Sequence, residues 1–554
     1  MKRSKGNMVK GDRVGLQLRA VHSGRAGSAG RSETFSGLRT NSRRAFLGRA
    51  RVLALGIAAV LVAVIAASFT FIPAVWAELV PPPPSLKMVP VPEPPNLLDF
   101  VQDKQAAIRL GKALFWDMQL GSDGAVACAT CHFQAGADVR TKNQMNFGGD
   151  SAFQVGGPNS TLTQADFPFH QRRDPVDQQA STVLRDTDDR VGSQGVRLAQ
   201  FVDISGGAVD TCTPADDAVF NVGGAEVRRV TGRNAPSAIN AVFNFANFQD
   251  GRANNIFNGV NPFGASDLDG KVFQNSGSLA AVQVRISNAS LASQAVGPPL
   301  SDVEMSCAGR TFPKLGKKML SLTPLGSQLV HPSDSVLGSL AKASLDGNGR
   351  ATGNPGLSTT YTGLIQAAFQ SKWWNNTGQI IKFQGGVPSI LANPGRVLLT
   401  DEFIQMEANF SLFFGLAVQL YEATLVSDDT LFDRVQEGRA AFTAKQQQGL
   451  TTFLGVGQCI ACHGGPEFTN QSVRNQQELD HGVIERMFMA VGGEAIYDNG
   501  FYNIGTRPTN DDIGRGGTDG FGFPLSFSRL AEMKARGELP AGLASFVPAL
   551  PVGV

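Results

Sequence analysis

Cysteine and histidine are scarce in this chain, six of each among 554 residues. A structural zinc site takes four such ligands, so an array of zinc modules is excluded. A redox dithiol needs no histidine beside it. Charge of one sign is also lacking, the net being +2. Long apolar runs are missing except at residues 52–77, which excludes a bundle of membrane helices. Glycine, by contrast, is abundant at 63 and points to a loop-rich globular chain. At this length one ordinary core is too small, and two or more domains are expected.

The scarce residues are concentrated in two words, Cys128-Ala-Thr-Cys131-His132 and Cys459-Ile-Ala-Cys462-His463. Each reads Cys-x-x-Cys-His, the attachment site of a c-type haem. Two thiols at this spacing can form thioethers to both haem vinyl groups. The adjacent histidine, His132 or His463, can bind the iron from the proximal side. Two covalent haems c are therefore expected, on Cys128, Cys131, Cys459 and Cys462.

The near-zero net charge conceals an asymmetry. Residues 1–51 carry thirteen Lys and Arg against Asp12 and Glu33, so +11 there leaves −9 on the rest. A basic leader on an acidic body argues against nucleic-acid binding. It suits docking of a small basic redox protein, because opposite fields raise encounter rates; ordinary solubility is the simpler explanation. Arg43, Arg44, Arg49 and Arg51 precede the uncharged run 52–77, which ends in Ala74-Val-Trp-Ala77. This is a signal peptide or an uncleaved membrane anchor, since 26 residues suffice to cross a bilayer. Ser42-Arg43-Arg44-Ala-Phe46-Leu47 also resembles a twin-arginine signal, though that route carries folded chains and c-type haem is attached after export. Either way the body is expected in the periplasm, free or tethered to the inner membrane.

That compartment is oxidising. Cys212 and Cys307 are left over from the haem words. A disulfide between them would stabilise by about 4 kcal/mol in the chain-entropy model; two separate thiols is the alternative. Along the chain, residues 78–95 are a proline-rich linker. Residues 96–310 read as a first haem domain with insertions, 311–400 as a connecting region, and 401–554 as a second haem domain. Between about 140 and 225 the composition predicts long loops. From Glu402 to Val426 the apolar spacing predicts one long buried helix. The class expected is mainly α, two cytochrome c-like domains with loop-rich insertions.

Further words occur in a fixed order. They are Leu110-Gly-Lys-Ala-Leu-Phe-Trp-Asp117, Arg233-Asn-Ala-Pro-Ser-Ala-Ile-Asn240, Asp250-Gly-Arg-Ala253, Ser290-Leu-Ala-Ser-Gln-Ala-Val-Gly-Pro298, Tyr421-Glu-Ala-Thr-Leu-Val426 and Cys462-His-Gly-Gly-Pro-Glu-Phe-Thr-Asn470. With the haem words among them, the chain resembles the bacterial dihaem cytochrome c peroxidases in their long, insertion-bearing form. The resemblance implies that the His132 haem is peroxidatic and that the His463 haem passes electrons in. It implies a peroxide pocket lined by Gln294 and Glu304, ten residues apart. A single carboxylate there can take a proton from one peroxide oxygen and return it to the other, while a neutral amide orients the substrate. It also implies a calcium ion held by Asn234, although one Asn is a poor signal for a cation that wants six to eight oxygens, and Asn234 can equally cap a turn. Asp346-Gly-Asn-Gly349 reads as a plain turn. The implied partners are hydrogen peroxide, a small c-type cytochrome or cupredoxin as donor, and a second copy in a homodimer.

Three positions depart from the family pattern. Gln249 stands where members have a Trp between the haems; Trp373 and Trp374 are substitutes only if they are not core. Glu226 stands where many members carry a removable distal His, and His170 is the remaining candidate nearby. The chain ends at Val554, before the segment that supplies the second haem's distal Met. It reads as C-terminally truncated or differently ligated, with Met487, Met489, Met533 and His481 as candidates. Two other functions stay open. One is a dihaem oxidase acting on a protein or organic substrate through a high-valent haem state. The other is a non-catalytic dihaem electron carrier.

Overall fold

The computed structural model describes residues 80–551, except 175, 178–180, 480, 489–491 and 506. The leader and anchor read at 1–77 lie outside the described residues. Among those described, no helix is long and apolar enough to cross a membrane.

The core is built on helices that carry the recognised words. Helix α1 (Lys104–Trp116) starts at Asp103, whose carboxylate accepts the N–H groups of Gln105 and Ala106 at 2.8 and 3.1 Å, satisfying donors that a helix start leaves open. It packs with α2 (Ser290–Ala295), α3 (Phe312–Leu320), α4 (Tyr361–Ala368) and α5 (Phe410–Glu422) around one large apolar cluster. Helix α5 is apolar all round and buried at every position from Phe410 to Tyr421, as a helix must be when its neighbours cover all faces. Gly111 sets the α1–α5 crossing: a Cβ there would lie 1.9 Å from the Ala417 carbonyl oxygen.

The single long helix expected over 402–426 is instead broken. Glu402–Phe403 is a short strand, Gln405–Ala408 one helical turn, and α5 follows Asn409. The fully buried Asn409 side chain donates to the Phe273 and Trp373 carbonyls and accepts the Phe273 N–H. That polar staple fixes the break, because a buried amide must find partners.

The expectation of a mainly α chain is overturned. Among the described residues helix accounts for 28% and strand for 18%, the strands forming many small sheets. The cause lies in the segments between the words, which fold into antiparallel hairpins. Gly223-Gly224 and Gly385-Gly386 take positive φ at both positions and join strands Asn221–Val222 to Ala225–Glu226 and Gln379–Gln384 to Val387–Ala392. Such pairs match the twist of a two-residue hairpin. Within 140–225 the largest hairpin is β1 (Ala199–Asp203) with β2 (Thr211–Pro214). Asp346-Gly-Asn-Gly349 is a hairpin turn, its carboxylate accepting the Asn348 and Arg350 N–H groups. In the proline-rich stretch, Leu86 and Val89 are buried against Val242, Phe243 and Leu291.

Candidate functional site

The first haem word sits against the main core. Cys128–Cys131 is a single helical turn, and Ala129 between the thiols is part of the large cluster. Thr130 Oγ accepts the Ala127 N–H at 2.9 Å and steadies the turn. His132 Nδ1 lies 2.7 Å from the Pro236 carbonyl oxygen. That contact occupies one ring nitrogen and leaves Nε2 for iron, as metal-bound histidines are usually oriented. Burial lowers the His132 pKa, so the ring stays in the neutral form that ligates. The donor set thus fits a c-type haem: two unpaired thiols three residues apart and an oriented imidazole. Phe115, at the end of α1, bridges His132 (6.4 Å) and Tyr421 (5.4 Å), and the Tyr421 hydroxyl accepts Trp116 Nε1 at 3.1 Å.

Glu304 stands half-buried in the loop whose backbone lies against Gly195. Burial raises the pKa of both the Cys128 and Cys131 thiols, and the Glu304 charge adds to the rise, as a like charge does for an acid. Burial of the Cys131 thiol pushes it up to about 11. Burial raises the Glu304 pKa above the ordinary carboxylate range, against the Ser301 hydroxyl and Arg252, which lower it. Gln294 lies in the last turn of α2, half-buried, ahead of the bend Pro298–Leu300 that leads to Glu304.

Two groups here were not read from the sequence. Arg140 pairs with Asp138 at 2.7 Å and donates to Cys131 Sγ at 3.2 Å. Glu422 ends α5 near Cys128, and burial pushes its pKa up to about 8. Its word is legible in the sequence, but only its seat after the buried stretch Phe410–Tyr421 gives the carboxyl this character.

The second word is peripheral. It follows helix α6 (Ala444–Leu454), which buries none of its residues, and Cys459 is exposed. His463 Nδ1 lies 3.2 Å from the Phe468 carbonyl, again leaving Nε2. Asn470 holds the loop by donating to Ala461 O at 2.8 Å and accepting the Gly464 N–H at 3.3 Å. This donor set fits a second c-type haem in the same way. His481 lines a cavity of about 410 Å³ with Ile460 and Ala461 of the word. Met487 sits on the strand Ile484–Phe488 and Met533 on the helix Phe527–Ala535; Met489 lies outside the described residues.

Other candidates find structural partners. Asn234 Nδ2 donates to the Gly192 carbonyl at 3.2 Å. Among the described residues no group of three or more His, Cys, Asp or Glu forms a metal site. His170 is exposed and paired with Asp186 at 2.7 Å. Glu226 accepts from Asn221 Nδ2 within its hairpin and from the Asp217 N–H just before it. Gln249 is exposed and donates to Asp512 at 3.4 Å. Trp373 stacks on Phe100 at 5.1 Å, and both Trp373 and Trp374 spend their indole N–H on carbonyls, so both serve packing. Cys212 and Cys307 are joined in a disulfide.

Comparison with known proteins agrees with the resemblance read from the words. Residues 105–323 match the family model described as di-haem cytochrome c peroxidase. The chain is similar to cytochrome-c peroxidase IdrP1 of Denitromonas iodatirespirans, 31% identical over 160 residues, covering 24% of this chain and 42% of that protein. It is similar to cytochrome-c peroxidase IdrP2 of the same organism, 34% identical over 83 residues, 15% of this chain and 22% of that protein. The chain therefore spans less than half the length of either relative.

Proposed function

We propose that this protein is a dihaem c-type peroxidase that reduces hydrogen peroxide to water, with electrons from a small c-type cytochrome or cupredoxin in the periplasm. The observation that carries the reading is the first haem word, with two free thiols and His132 oriented by the Pro236 carbonyl at 2.7 Å; Glu304, a carboxyl whose pKa burial raises, supports it. Haem at Cys128, Cys131 and His132 would supply the iron at which peroxide is reduced. Glu304 would accept the proton lost from the peroxide oxygen that binds and deliver it to the oxygen that leaves as water. Transfer by one positioned group contributes about 10²- to 10⁴-fold. Gln294 would orient the peroxide through its neutral amide without competing for the proton. His132 would be held by the Pro236 carbonyl and His463 by that of Phe468.

The second module, 401–554, would receive electrons, and the body charge of −9 suits a basic donor. Calcium at Asn234 Oδ1 belongs to the same proposal, as does a homodimer; loss of turnover on chelation, restored by calcium, would support the former. The haem-loaded protein is tested by mixing it with peroxide and a reduced small c-type cytochrome. Continuous donor oxidation in proportion to peroxide is expected. Oxidation of the protein's own haems without donor turnover would favour the dihaem oxidase, and no haem response within seconds would leave only an electron carrier.

A further inference from the structure

The chain from Glu304 to Arg310 has little regular structure of its own, yet it is held from one side by an inserted segment. Gly195 approaches so closely that a Cβ there would lie 2.0 Å from the Val303 carbonyl oxygen and 2.7 Å from Glu304 Cα. Next, Val196 N–H donates to Val303 O at 3.2 Å. Strand β1 then pairs beside the loop: Ala308 N–H donates to Ala199 O at 2.8 Å, and Phe201 N–H to Ala308 O at 3.0 Å. Finally β2 bonds to it covalently through Cys212–Cys307.

The turn of the same hairpin delivers Asp210 into the interior. Its carboxylate meets Arg310 at 2.8 Å and Lys318 at 3.0 Å, and all three side chains are 0% exposed. Arg310 also donates to the Leu120 and Pro299 carbonyls at 2.9 and 2.6 Å, and Lys318 to the Gly121 carbonyl at 3.0 Å. Ser122 completes the frame. It accepts the Cys307 N–H at its hydroxyl and the Asp210 N–H at its carbonyl, and donates its own N–H to Met305. Both ends of the Glu304 loop, Pro299 and Arg310, are thus tied to one buried cation, and its middle to the hairpin. Two buried cations sharing one buried carboxylate tolerate no loss of that carboxylate, so the geometry is tightly set.

We propose that the inserted segment 195–214 is the positioning element of Glu304, with the Cys212–Cys307 bond and the Asp210–Arg310–Lys318 cluster as its two locks. The inference rests on reading Glu304 as the proton-transfer group. Asp210, Cys212, Cys307 and Gly195 are positioning residues in this account. They touch neither peroxide nor haem and act by fixing where the carboxyl stands, where an error of about 1 Å can cost about 10²-fold.

The test uses haem-loaded protein carrying Cys212→Ser with Cys307→Ser, and separately Gly195→Ala, each alone and combined with Glu304→Gln. Both variants should keep two haems per chain by absorbance. Amide exchange at residues 303–308 should quicken at least about 10-fold, and the rate of reaction with peroxide should fall about 10- to 100-fold. In the Glu304→Gln background neither change should slow the reaction further, whereas a merely structural role would lower the rate there as well. Unchanged exchange at 303–308, an unchanged rate, or an equal further loss on top of Glu304→Gln would overturn the inference. If Glu304→Gln alone leaves the rate intact, the reading of Glu304 falls and takes this inference with it; if Glu304→Gln slows the reaction and the unlocked variants do not, only the clamp falls.

Discussion

Single carboxyls decide most of the chemistry proposed here, and two of them, Glu304 and Glu422, are made unusual by burial alone. Glu422 gives a pH prediction. Its folded-state pKa of about 8 lies above the ordinary 4.5, so the folded protein holds a proton that the unfolded chain has released. Stability from this group is fully present below the ordinary value and is lost as pH rises through about 8. Denaturant unfolding of the haem-loaded protein should show a loss of a few kcal/mol between pH 5 and 8. Glu422→Gln should flatten that slope; a parallel slope in the variant would show that Glu422 is not its source. The haem ligands were legible at this scale because Cys-x-x-Cys-His is a contiguous word. Glu422 was not, since burial depends on what packs around it.

At the scale of elements, the α1–α5 crossing carries the aromatic wall beside His132. Gly111→Ala would press a Cβ into the Ala417 carbonyl and should cost about 3 kcal/mol or more, since overpacked backbones relax poorly. Equilibrium unfolding checks this, and a change under about 1 kcal/mol would mean the helices separate freely. Helix α1 could be read from its apolar spacing. Asn409 hid the break before α5, because its partners at Phe273 and Trp373 are far away in sequence. The hairpins carry a readable sign in Gly223-Gly224 and Gly385-Gly386, but the polar composition over 140–225 reads as loops. The strands joined by Gly223-Gly224 have two residues each, too few to show the alternation that marks a half-buried strand.

For the whole molecule, the two haem words differ in how they are rooted. Ala129 belongs to the main core, whereas the second word lies beyond an exposed helix. Replacing Cys128 and Cys131 by Ser should leave one haem per chain and lower the melting temperature clearly. The same change at Cys459 and Cys462 should also leave one haem but cost less stability. Equal losses at the two words would contradict this unequal rooting. The central claim is that Glu304 moves the proton in peroxide reduction at the first haem word. Its most direct test is rapid mixing of reduced, haem-loaded Glu304→Gln with peroxide, followed by haem absorbance. The account predicts a rate at least about 100-fold below the parent with both haems retained; a rate equal to the parent's would contradict it.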